Sequence, residues 1–87
     1  MNKWVKKGRG AFRREYRAVC DPANADTVFR WNVLRGVVWT RDRRTCAICL
    51  RRITLADYEL GHWHDRVAGG LDTPRNVAVM CGTCPST

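Results

Sequence analysis

The chain has 87 residues, with 16 Lys or Arg against 8 Asp or Glu for a net charge of +8, and five cysteines. That length suits one small domain, whose modest core often needs a metal or disulfides to hold it. No apolar stretch is long enough to cross a bilayer, and residues 1–10 are basic with no apolar run behind them. Together these argue against a membrane anchor, a secretory leader and a disulfide framework, and for a cytoplasmic protein with reduced thiols.

Residues 1–44 hold twelve Lys or Arg against four acids, whereas residues 45–87 hold four Arg against four acids. The positive field therefore belongs to the first half and points to a polyanion such as DNA, with a merely solubilising surface as the alternative. Arg outnumbers Lys 13 to 3, which favours planar, bidentate phosphate contacts. Residues 1–10 read as a flexible basic arm carrying Lys6 and Lys7. Phe12, Tyr16 and Val19 recur at near-helical spacing and predict a short amphipathic helix over 11–19, with Arg13, Arg14 and Arg17 on its other faces. Cys20 has no partner at metal spacing and reads as a buried or half-buried thiol. Asp21-Pro22 is a turn or helix-start signal. A second helix is expected from about Asp26, with Phe29, Val33, Val37 and Thr40 as its apolar stripe and Leu34 and Val38 widening it. Arg41, Arg43 and Arg44 lie outside that stripe and join Lys6, Lys7, Arg13, Arg14 and Arg17 as candidate nucleic-acid contacts. Trp31 and Trp39 are expected in the core, with base stacking as the alternative.

Cys46-Ala47-Ile48-Cys49 and Cys81-Gly82-Thr83-Cys84 are two C-x-x-C pairs, the spacing at which tight turns each give two thiolates to a tetrahedral zinc. A closed four-cysteine site is structural, not catalytic. At ~10 kcal/mol or more of binding free energy, it can decide whether such a domain folds. A redox pair would need only one C-x-x-C in a thioredoxin-like pattern, which is missing. Between the pairs, Tyr58 to His64 reads as a strand whose alternation puts Leu60, His62 and His64 on one face. Residues 65–75 form a loop turned by Gly69-Gly70, and Asn76 to Met80 is a second strand.

Arg41-Asp42, Cys46/Cys49, His62, Gly69-Gly70, Asn76 and Cys81/Cys84, in that order, resemble the zinc-braced HNH endonucleases over residues 31–84. The resemblance implies an α+β fold in two segments. Residues 1–25 are a basic arm and helix, and 26–87 a small zinc-stabilised ββα-metal domain whose final helix is cut short at Thr87. It implies hydrolysis of DNA phosphodiester bonds with a divalent ion such as Mg²⁺, Mn²⁺ or Ni²⁺, separate from the zinc. His62 would be the general base and Asn76 the residue whose amide ties down the Gly-Gly loop. A bacteriophage setting, in a bacterial host's cytoplasm beside a packaging or recombination protein, fits the small gene size.

Two positions depart from the family. Where an acid or His usually precedes the base stands Gly61, and where Asn or His usually follows the last Cys stands Pro85. Neither side chain can bind a cation. Either His64 and Asp65, with Asp57 or Glu59 as more distant candidates, replace the missing ligands, or the chain is a degenerate HNH module. In the second case it binds nucleic acid or a partner without cutting.

Overall fold

The computed structural model describes residues 2–82, with side chains from Gly10 onward. Two α-helices, α1 (Asn2–Cys20) and α2 (Trp31–Arg41), precede a two-stranded antiparallel sheet of β1 (Tyr58–His62) and β2 (Val77–Cys81). No helix among the described residues is long and apolar enough to cross a membrane.

The expected short helix over 11–19 is longer. It begins at Asn2, so the stretch read as a flexible arm is helical backbone. Lys, Arg and Ala favour helix, and Gly8 and Gly10 weaken it by only ~1 kcal/mol each against Ala. The second helix starts later than expected, at Trp31 rather than near Asp26. Phe29 N–H instead donates to Asp72 O at 3.0 Å, which holds the approach to α2 against the later loop. Asp21 caps a single turn by accepting from Ala23 N–H at 2.9 Å, with Pro22 at its first position. Cys20, expected to be buried or half-buried, is exposed.

Val19 of α1, Leu34, Val37 and Val38 of α2, and Tyr58, Leu60, Val77 and Val79 of the sheet form one buried cluster. Trp39 and Tyr58 meet there with ring centroids 4.8 Å apart. Burial pushes the Tyr58 phenol up to about 12, and the hydroxyl donates to Arg35 O at 2.7 Å. The strands pair with Leu60 opposite Val79 and His62 opposite Val77.

β2 is buried along its whole length. Its outward edge is capped by the segment that leaves α2, not by a third strand. Arg41 donates to Pro74 O and to Val77 O, each at 2.8 Å, while gripping the Asp42 carboxylate at 2.8 and 3.1 Å. Asp42 Oδ2 accepts from Val79 N–H at 3.0 Å, and Ala47 N–H donates to Val79 O at 2.8 Å. An open edge strand invites pairing with another chain, and these bonds close it.

Candidate metal centre and histidine site

The first C-x-x-C is a tight reversal. Thr45 bridges to Arg52, Cys46 N–H donates to Arg51 O at 2.9 Å, and Leu50 turns with φ 63°. β2 delivers Cys81 beside that turn, so the sulfurs of Cys46, Cys49 and Cys81 all lie within 4.8 Å of one another. In a tetrahedron with metal–sulfur bonds of about 2.3 Å, two sulfurs stand ~3.8 Å apart. Cys49 Sγ and Cys81 Sγ are separated by 3.8 Å. Cys46 Sγ also accepts from the N–H groups of Ile48, Cys49 and Cys81 at 3.4, 3.5 and 3.4 Å. The three cysteines can therefore hold a metal ion. Cys84, the expected fourth ligand, and Pro85 lie outside the described residues.

His62 closes β1 and is held on several sides. Its Nε2 lies 2.7 Å from Asp72 Oδ1, and its ring stacks on Trp31 at 5.8 Å between centroids with 12° between planes. Arg66 bonds the same carboxylate at 3.1 and 2.8 Å and sits over the Trp31 ring at 5.0 Å, completing a ring of contacts. The Arg66 guanidinium, and then the His62 hydrogen bond, hold the Asp72 carboxyl below its usual 3.8, against an opposing push from burial. An ionised carboxylate only accepts, so His62 Nε2 is the donor of this hydrogen bond.

Asn76 lies in the turn before β2 and ties the loop together. Its Oδ1 accepts from His64 N–H at 2.8 Å, while its Nδ2 donates to His64 O at 3.0 Å and Leu71 O at 2.9 Å. Gly69 takes φ 98°, and a Cβ on Gly70 would fall 1.8 Å from His64 O, so only glycine lets the loop fold back this far. The loop-tying role expected of Asn76 matches these bonds.

The structure separates the other candidates from His62. β1 ends at His62, so His64 does not continue its face. The His64 Nε2 lies 3.0 Å from Ala68 O, and Asp65 caps the next turn by accepting from Val67 N–H at 3.2 Å. Asp57 O accepts from Gly82 N–H, and the Glu59 carboxylate lies beside Gly82 at the opposite end of β1 from His62. Among the described residues, the three thiols are the one group of three or more Cys, His or acidic ligands that converges.

Of the basic candidates, Arg41 is engaged with the β2 edge and is not a free phosphate contact. Arg13, Arg14, Arg17, Arg43 and Arg44 are exposed, and the side chains of Lys6 and Lys7 lie outside the described residues. Trp31, expected in the core, is 39% exposed because its ring packs on His62 instead. Sequence reasoning missed Asp72 and Arg66. The one available signal was an acid just past Gly69-Gly70, where the returning loop brings it opposite His62. Comparison of the chain with family models, curated proteins and solved structures returned no match.

Proposed function

We propose that the protein is an HNH-type DNA endonuclease with a ββα-metal-like core, in which His62 is the general base and Cys46, Cys49, Cys81 and Cys84 hold a structural zinc. The observation that carries this reading is the oriented pair of His62 Nε2 and Asp72 Oδ1 at 2.7 Å, on a loop clamped by Asn76. A base whose far nitrogen is fixed by a carboxylate presents its other nitrogen in one direction, the arrangement that proton abstraction needs. His62 Nδ1 would take a proton from water, and the resulting hydroxide would attack phosphorus as the leaving sugar oxygen departs. Four thiolates suit zinc, a closed tetrahedral set with no open position.

One observation favours the second reading, a nucleic-acid-binding module that does not cut. A Cβ at Gly61 would lie 2.1 Å from Met80 Sδ, so the position of the usual metal-binding acid is filled by a buried methionine. Incubation of supercoiled plasmid with Mg²⁺, Mn²⁺ or Ni²⁺, beside His62→Ala, separates the two. Nicking that disappears in His62→Ala is the expected result. Salt-sensitive DNA binding with no nicking under any ion would establish the binding module instead.

A further inference from the structure

The end of α2 away from His62 carries a hollow of about 390 Å³ lined by Trp39, Thr40, Arg43, Arg44 and Arg52. Three arginines line it, and none of them is ion-paired to an acidic side chain among the described residues. Arg43 and Arg44 also have φ 55° and 58°. Just after a helix this left-handed region favours Gly or Asn, because a Cβ there is strained. The bonds from Arg43 N–H to Thr40 O and from Arg44 N–H to Trp39 O at 3.1 and 3.0 Å close α2 as a Schellman cap, which accounts for the left-handed Arg43, whereas a second left-handed residue at Arg44 goes beyond that cap. Arg52 arrives by a different route. The Thr45–Arg52 bridge and the bond from Ile53 N–H to Arg44 O at 2.8 Å set it beside the other two. A second hollow, lined by Phe12, Arg13, Tyr16, Arg17 and Thr40, adjoins the first through their shared Thr40.

We infer that the Arg43, Arg44 and Arg52 hollow is a phosphate subsite for a polynucleotide strand, with Trp39 beside it and the Arg13 and Arg17 groove continuing the track past Thr40. Guanidinium groups match phosphate geometry bidentately, and a half-buried tryptophan offers an apolar edge to a sugar or base. Two adjoining basic hollows fit an extended polyanion better than a single nucleotide. The subsite stands apart from His62: Trp31 and Trp39 are eight residues apart in α2, a rise of about 12 Å. That is the axial rise of three to four nucleotides. The inference deepens the nucleic-acid reading above and names where a remote phosphate is held.

The test measures binding, without added divalent ion, of a fluorescent single-stranded oligonucleotide and of a duplex over a salt series. Wild type is compared with Arg43→Gly and Arg52→Ala. Arg43→Gly relieves the backbone strain, so it should melt at least as high as wild type while binding severalfold more weakly. Each subsite variant should flatten the slope of log K against log salt by ~0.7–0.9, the loss of one phosphate contact. Binding is read without a divalent ion, so a failure to cleave DNA leaves this result standing. Unchanged affinity and slope in Arg43→Gly and Arg52→Ala would overturn the inference. So would equal competition by a mononucleotide or inorganic phosphate at the oligonucleotide's own concentration, which would mark a small-anion site.

Discussion

The two ends of the α2–β1 layer handle charge in opposite ways. At the His62 end, Arg66 and His62 converge on one carboxylate, Asp72, and the Trp31 ring lies against the His62 ring and the Arg66 guanidinium. At the Trp39 end, three arginines line a hollow with no acid to neutralise them among the described residues. Satisfied charge fixes geometry, as a positioned base requires. Unsatisfied charge leaves the field open for a ligand that brings its own anion. The same division runs through one short sequence. Arg41 is bound into the edge of β2, while Arg43 and Arg44, two and three residues later, face outward.

The largest way to break this contrast is to strip any metal that Cys46, Cys49 and Cys81 hold. The Trp39 end depends directly on the cysteine turn, because the Thr45–Arg52 bridge that places Arg52 encloses Cys46 and Cys49. Ala47 N–H also ties that turn to Val79 in the common core. A structural zinc, where a cysteine cluster holds one, contributes ~10 kcal/mol or more, comparable with the whole stability of a small domain. Chelation, or Cys46→Ser, should therefore collapse the far-UV circular dichroism and unfold the His62 end as well. Retention of the His62 end in stripped protein, seen as persistent amide protection at His64, would show that the two ends fold separately.

A smaller effect sharpens the difference between the arginines. Arg41→Ala removes bonds to Pro74 O, Val77 O and Asp42, and should cost ~2–3 kcal/mol, lowering the melting temperature by roughly 10 °C or more. Below its melting transition the variant should bind nucleic acid much as wild type does, the reverse of Arg43→Gly. Marked loss of binding by folded Arg41→Ala would erase the distinction between bound and outward arginines.

The smallest effect lies at Asp72. Its folded-state carboxyl titrates below the usual 3.8, chiefly because Arg66 bonds the charged form. The stability it contributes is therefore complete above the unfolded value and lost as pH falls through the lower folded one. Arg66 is 55% exposed, so water screens much of the interaction. Asp72→Asn should be slightly less stable than wild type above about pH 4, and the gap should close toward pH 2 in thermal melts. A gap that widened on acidification would mean that Asp72 is not the anionic partner of Arg66 and His62.

The features that local rules govern were legible from the residues alone. The C-x-x-C pairs mark thiols that turns must gather, and Cys46, Cys49 and Cys81 do converge. Gly69-Gly70 marks a turn, and Gly69 has positive φ. The alternation of Tyr58 to His64 marks a half-buried strand, and it forms over Tyr58–His62, two residues shorter. Helix limits were less legible: α1 runs back to Asn2, and α2 waits until Trp31 because Phe29 pairs with a loop more than forty residues away.

Partnership was the part the residues could not disclose. Arg41, Arg43 and Arg44 look alike in a sequence, and His62 and His64 look like a matched pair on one strand. Only the fold brought Asp72 to His62 and Asn76 to the backbone of His64, so one imidazole is oriented and the other joins the loop. Only the fold set the β2 edge against Arg41 and left Arg43, Arg44 and Arg52 around an open hollow. The physical reason is range. Turn and helix preferences act over a few residues, whereas hydrogen-bond partners and desolvation are decided by chain segments ten to forty residues apart.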